Sequence, residues 1–334
     1  MADTFNYRID HHGSLVRPAG LVPGDPESVA DAVREAVTLQ RRLRSTVVTD
    51  GDFPRADFRG AVLDHVDGFR RTDERGPDGL VRWVAEALPK AAGPLLDDWA
   101  ARLAELTVIA PKATLPSPAY LAATTFEPGR GPASARELGE ALAEIVRAEI
   151  ALLVSRGVRL IQLTHPLLLA QVATAPAAPG ALSFEDALAV DAAAVRLDER
   201  PEGVRLGYCP GWAAPAEVDR ARAERLYTAI PADRWVLPFD QGTEAETELV
   251  RVLPEERDFC LGVADATRPE VEDVDTVMSR IDPLEAFKDL EDGAVSPSRG
   301  FADVAGRPLL SADDQNRKLV LVETVARYCW GNEF

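Results

Sequence analysis

The sequence predicts an α/β chain folded as a single (β/α)8 barrel over residues 1–334. Eight short segments look like buried strands, helical patterns lie between most of them, and polar residues gather just after the segments. The segments are Asn6–His11, Ser45–Thr49, Leu106–Ala110, Arg159–Leu163, Val204–Tyr208, Trp235–Phe239, Asp258–Val263 and Gly293–Ser296. Each has strand length and ends in polar or turn residues. An open doubly wound sheet is the competing arrangement, but no GxGxxG follows the first strand.

The helices follow from periodicity. Glu27–Arg44 places Val29, Val33, Val37, Leu39 and Leu43 near a 3.6-residue repeat. Leu138, Leu142, Ile145, Val146, Glu149 and Leu153 form another stripe, and Glu217–Ile230 is a shorter helix with arginines on its outer face. The last helix starts at Ser311, with Asp314 three residues on as an approximate capping box. It turns Leu319, Val322, Val325, Ala326 and Cys329 inward. The Pro/Ala/Gly stretch Val172–Leu182 reads as a surface loop rather than a domain boundary.

Composition narrows the function. Lys and Arg total 37 against 55 Asp and Glu, a net charge of −18. Such a surface repels nucleic acid and anionic lipid. Cys209, Cys260 and Cys329 lie far apart without a CxxC pair, which fits a reducing compartment rather than a disulfide framework. The polar start MADTFNYRIDHHGS is no secretory signal, and no apolar run approaches the ~18 residues of a membrane span. The expectation is a cytoplasmic protein with a small-molecule substrate, no nucleic-acid or membrane partner, and an oligomeric state left open.

In this barrel class the chemistry sits where strands end. The first strand delivers Asp10, His11, His12, Ser14 and Arg17; the second delivers Asp50 and Asp52. The third gives Lys112 and Ser117, the fourth Thr164 and His165, the fifth Cys209. Asp240 and Gln241, Asp265, and Ser298 with Arg299 complete the ring. Three of the four histidines fall at these ends, and only His65 lies elsewhere.

The segment DHHGSLVRPAGL (Asp10–Leu21) resembles the HVGS-LRP opening of the cobalamin-independent methionine synthase family, in its short single-barrel form. TDGDF (Thr49–Phe53) resembles that family's TDGE-F-R turn, and PKATLPSPAYL (Pro111–Leu121) its K-TIPSP segment. IQLTHP (Ile161–Pro166), CLGVADATRPEVED (Cys260–Asp273), SPSRGF (Ser296–Phe301) and the closing SADDQNRKLVLVETVARYCW also match in order. The resemblance implies the barrel fold, and it implies methyl transfer to a thiol that zinc holds as thiolate.

The departures redirect that expectation. The family's zinc is held by His, Glu and two Cys. Here those positions fall on Gly207, Pro238, Cys209 and Arg299, so one donor of four remains. No zinc and no other cofactor is expected, although the resemblance leaves room for folate. The acidic residue that helps hold the substrate ammonium after the fourth strand is Thr164 here, and the Glu of the TDGE turn is Asp52. Gly13 and Ser14 are retained.

The leading expectation is therefore a zinc-independent enzyme acting on a small carboxylate-bearing molecule by one-carbon or alkyl transfer. His165, His11, Asp52 and Arg299 are the candidate catalytic residues. Gly13, Ser14, Asp50, Lys112, Ser117, Thr164, Cys209 and Asp240 are the candidate substrate contacts. Strand alternation sends His11 and His12 to opposite faces, and the family pattern favours His11 in the site. Arg299 suits a carboxylate or phosphate through its planar fork, or a structural pair with Asp240 or Asp265. Three alternatives stay open. One is a lyase or decarboxylase using Arg, Asp and His, as in the related uroporphyrinogen decarboxylase barrels. Another is a relocated metal among His11, Asp50 or Asp52, His165 and Cys209. The third is a non-catalytic binder.

Overall fold

The computed structural model describes residues 7–76, 79–96, 98–176, 180–197 and 199–332. Asn6, at the start of the first expected strand, and residues 177–179 of the expected loop lie outside the described residues. In chain order the elements begin with α1 (Pro26–Arg42), β1 (Val47–Val48), α2 (Gly60–Leu63), β2 (Val66–Arg75), β3 (Val81–Ala91) and α3 (Trp99–Leu106). Next come β4 (Ala110–Pro116), α4 (Pro118–Thr125), α5 (Ala135–Ser155), β5 (Leu160–Thr164), α6 (Phe184–Val195) and β6 (Arg205–Cys209). The chain continues through α7 (Arg220–Ala229), β7 (Arg234–Pro238), α8 (Glu244–Arg251), β8 (Asp258–Ala264), α9 (Val274–Ile281), β9 (Gly293–Pro297) and α10 (Ala312–Trp330).

Seven strands form one parallel sheet in the order β1-β4-β5-β6-β7-β8-β9. Where an eighth strand was expected, Ile9 makes a single parallel bridge to Val295. The backbone around it bonds to both edges of the sheet. Asp10 N donates to Val295 O and Val295 N to Arg8 O, each at 2.9 Å, while Thr46 N donates to Ile9 O at 3.3 Å. The third strand also differs from expectation. The apolar run Leu106–Ala110 looks like a buried strand, yet Leu106 ends α3 and the strand is Ala110–Pro116. A polar sheet interior explains this, because the strand carries Lys112 and Thr114 among its small and apolar residues.

The helices obey the signals in the sequence. Asp25 caps α1, accepting from Ser28 N, and Ser134 caps α5, accepting from Glu137 N. Leu138, Leu142, Val146 and Leu153 of α5 are buried as the stripe requires. Glu149 of the same stripe accepts the Leu95 and Leu96 amides at 2.8 and 3.0 Å, which satisfies its buried carboxylate. On α1 the buried face is Ala32, Ala36, Val37 and Gln40, rotated from the valine stripe. β2 and β3 make an antiparallel hairpin outside the main sheet, inserted between β1 and β4. Among the described residues no helix is long and apolar enough to cross a membrane.

Candidate functional site at the carboxyl ends of the strands

Two cavities open where the parallel strands end. An inner chamber of about 20 Å³ is lined by His12, Asp52, Phe58, Thr114, Leu115, Thr164, Trp212, Gly300 and Asp303. That volume suits about one water molecule. An outer cleft of about 370 Å³ lies beyond Trp212, which lines both, and includes Asp240, Asp265, Arg268, Ser298 and Arg299.

Tight backbone geometry brings the first two strand ends together. Gly13 has φ +115°, and a Cβ there would lie 2.7 Å from Thr114 Oγ1 and 3.2 Å from Asp52 Oδ2. Only glycine fits that approach. Asp52 itself is left-handed at φ 57°. Its Oδ1 accepts from Arg55 Nη1 at 2.8 Å, and the same nitrogen reaches Asp50 Oδ1 and Oδ2 at 3.2 and 3.1 Å. One guanidinium thus pairs with two buried carboxylates. Burial, with Asp50 adding repulsion, still pushes the Asp52 carboxyl up to about 6 against the pull of Arg55. Ser14 Oγ donates to Asp303 Oδ1 at 2.8 Å.

The two adjacent histidines face opposite ways, as strand alternation requires, and it is His12 that enters the chamber. His11 Nε2 pairs with Ser45 Oγ at 2.7 Å and does not line either cavity. Both ring nitrogens of His12 are buried and have no partner among the described residues. Burial, with Lys112 nearby, lowers its basicity to about 3, so the ring is neutral at physiological pH.

Several expected contacts have other employment. Lys112 lies inside β4 rather than at its end. It is 1% exposed and donates to Asp10 Oδ1, His11 O and Gln162 Oε1 at 2.6, 2.6 and 2.7 Å. It holds the sheet interior together and is not among the residues lining either cavity. Ser117 is the N-cap of α4, accepting from Tyr120 N. Cys209 is buried with Val236, Cys260, Ala294 and Trp212, and burial pushes its thiol up to about 12. Its Sγ–H points to Gly211 O at 3.6 Å. Thr164 does line the chamber, and its hydroxyl accepts from Gln162 Nε2 at 3.0 Å.

His165 packs edge-to-face on Tyr120 at 5.7 Å, outside the lining of either cavity. Burial lowers its basicity to about 3. An unfolded histidine titrates near 6.5, so protons bind the unfolded chain preferentially between the two values. Stability from this ring is therefore present above pH 6.5 and is lost as pH falls toward 3. On going from pH 7 to pH 5, His165→Asn should keep about 2 kcal/mol that the wild type loses, in denaturant melts at each pH. Equal pH slopes for the two proteins would refute a buried neutral His165.

Arg299 faces the outer cleft in a defined setting. Its guanidinium stacks on Trp212 at 3.9 Å, and Nε and Nη2 donate to Asp303 Oδ2 at 3.2 and 2.5 Å. Its ion-pair partner is thus Asp303, four residues on, rather than Asp240 or Asp265. Nη1 has no hydrogen bond among the described residues. Asp240 lines the cleft, accepts from Gln241 Nε2 at 2.7 Å, and is raised to about 6 by burial.

The fit of a metal is decided by donors. Gly207, Pro238 and Arg299 have no side-chain electron pair to give, and the Cys209 thiol is far from ionised at neutral pH. Among the described residues, no three His, Cys, Asp or Glu side chains are grouped to hold a metal ion. The residues of the relocated-metal alternative are dispersed: His11 on Ser45, Asp50 and Asp52 on Arg55, His165 on Tyr120.

Sequence reasoning missed Thr114, Trp212, Phe58 and Asp303 as chamber residues. Trp212 and Asp303 lie three and four residues beyond Cys209 and Arg299 respectively, within the loops that follow those strands, and that placement was the available signal.

No family model matches the chain. It is 26% identical over 362 residues to Uncharacterized protein YxjG of Bacillus subtilis (strain 168), covering 97% of this chain and 95% of that protein. Among solved structures it matches a B12-independent methionine synthase from Shewanella sp. W3-18-1 in complex with selenomethionine. The TM-score is 0.75 at 16% identity, over 96% of this chain and 97% of that one. A putative vitamin-B12 independent methionine synthase from Listeria monocytogenes gives 0.75 at 19% identity, over 98% of both chains. The chain therefore shares the α/β fold of these methionine synthase-like structures.

Proposed function

We propose that this chain is one catalytic unit, with Arg8–Asp10 serving as the eighth strand that closes the sheet. It transfers a one-carbon or alkyl group to or from a small carboxylate-bearing molecule, without zinc. The observation that carries the reading is the neutral His12 ring, with both nitrogens unpartnered among the described residues, lining a chamber with Asp52. Groups whose surroundings push their pKa values apart suit acid–base roles. The structural neighbour bound to selenomethionine supports an amino-acid-like ligand.

In this reading the Arg299 guanidinium binds the substrate carboxylate, and ionised Asp52 holds a cationic group such as an ammonium. An anionic ligand beside His12 stabilises its protonated form and makes it a competent base. His12 then takes the proton of the acceptor's X–H as X attacks the alkyl carbon. The carbon–donor bond breaks, and its electron pair leaves with the donor. Nothing in that sequence requires Cys209.

The test is calorimetric titration with methionine beside methioninol, which lacks the carboxylate. Methionine should bind and methioninol should not. Arg299→Met should weaken methionine by about 10- to 150-fold, the loss of one charge-assisted hydrogen bond. Its folding stability should move by less than about 1 kcal/mol, because the Arg299–Asp303 pair is partly exposed. Equal affinity for methionine and methioninol would overturn the carboxylate assignment. Stoichiometric zinc in the purified protein, lost in Cys209→Ala, would overturn the zinc-free one.

A further inference from the structure

We propose that Asp303 is a specificity-determining residue: it occupies the Arg299 fork as an internal stand-in for a ligand carboxylate, and so keeps the inner chamber closed from the outer cleft until an anion displaces it. This rests on the reading of Arg299 as the ligand's anion contact.

The volumes favour such an exchange. A chamber of about 20 Å³ has no room for a carboxylate-bearing molecule beside His12, while the cleft of about 370 Å³ does. The wall between them is small and identifiable. Trp212 lines both spaces, Arg299 lines the cleft, and Gly300 and Asp303 line the chamber. The Arg299–Asp303 pair therefore spans the wall, with the guanidinium lying on the indole at 3.9 Å. Phe58 sets its ring edge-on to Trp212 at 5.9 Å, and its amide donates to Asp303 O at 3.2 Å. The partition is thus one connected set of contacts with Asp303 at its centre.

The geometry of the pair leaves it open to competition. Nε and Nη2 both converge on Oδ2, because Oδ1 is taken by Ser14 Oγ at 2.8 Å. A free carboxylate offers both oxygens to the fork and so makes the stronger two-point contact. The guanidinium is also reachable, with a quarter of its side chain exposed. A neutral ligand gains nothing from this exchange. Asp303 thereby selects for an anionic group and sets how strongly it must bind.

The experiment reads acrylamide quenching of Trp212, isolated by difference from Trp212→Phe, with malonate as the anion probe and malonamide as its neutral control. In wild type, quenching should rise saturably above its cleft-side baseline with malonate, not with malonamide. Asp303→Asn keeps the shape but removes the charge. It should be more strongly quenched than wild type without malonate, and its malonate half-saturation should drop by about 2- to 5-fold, the scale of a partly exposed ion pair. Arg299→Met should be quenched strongly at once and show no malonate response, which also covers the case of a poorly folding Asp303 variant. Wild-type quenching in both variants without malonate would overturn the partition. Open variants combined with a malonate response unchanged by Arg299→Met would support Asp303 as the closing contact and overturn the anion reading of Arg299.

Discussion

Lys112→Met should cost about 3–5 kcal/mol of folding stability, the penalty for stranding a buried charge. Among the described residues, Lys112 Nζ and the His11 amide are the hydrogen-bonding partners of Asp10 Oδ1, and Lys112 and Asp10 are each 1% exposed at the side chain. Burial alone would raise the Asp10 carboxyl. Lys112 and then Arg234 overcome that and hold it below the usual range. Arg234 stands 3.6 Å from Oδ2, so it softens the loss without replacing the contact. Adding Asp10→Asn to Lys112→Met should recover a large share, because the neutral amide no longer needs a cation. The sign with pH follows. A carboxyl held below its unfolded value contributes stability above that value, and the contribution disappears as pH falls through the folded one. Wild type should therefore lose this contribution on acidification while Lys112→Met has none to lose. The gap between them in denaturant melts should hold down to about pH 4 and narrow only below it, as pH falls under the unfolded carboxyl value of 3.8. A single-variant loss under about 1 kcal/mol, or a gap independent of pH, would refute this account.

The same pair explains why part of the fold was hard to read in the sequence. A buried strand announces itself by apolar residues, and the third parallel strand carries Lys112 facing Asp10 and Gln162 inside the sheet. The more apolar Thr107–Ile109 beside it sits half-buried or exposed, with Val108 fully open to solvent. The β2–β3 hairpin was missed because Arg70, Arg71, Asp73 and Glu74 break up the apolar pattern of its first strand, although Val66, Val84 and Ala85 are buried; the sequence Gly-Pro-Asp-Gly at 76–79 was its clearest turn signal. Elements with a one-sided apolar stripe or a capped start, such as α5 and α10, were fully legible. At the site, residues directly after a strand were visible as candidates: Gly13, Ser14, Asp52 and Thr164 gather around the chamber, and Asp240 and Arg299 around the cleft. What the sequence could not supply was which of two neighbours turns inward. His11 and His12 differ only in face, and that face is set by Ser45, whose hydroxyl holds His11 away from the chamber.

That choice of face leads to the largest expected effect on activity. His12→Gln should lower the rate of group transfer by about 10²- to 10⁴-fold, the contribution of a positioned general base. His11→Gln should change it only a few-fold, and should act through stability because it disturbs the buried bond to Ser45. The imidazole of His12 supplies a readout independent of any substrate. In the ligand-free protein its ring resonances should stay those of the neutral form from pH 8 down to pH 5, since burial holds it at about 3. Binding of a carboxylate ligand should raise that value, because an anion stabilises the imidazolium. The pH–rate profile should fall on the acid side near 6, where Asp52 takes up a proton and releases a bound cationic group. In Asp52→Asn that limb should vanish along with much of the affinity for ammonium-bearing ligands. The structural alternative for His12 predicts loss of stability in His12→Gln with an unchanged rate per folded molecule. That outcome, or a His12 ring that is already protonated at pH 6 without ligand, would remove it from the reaction.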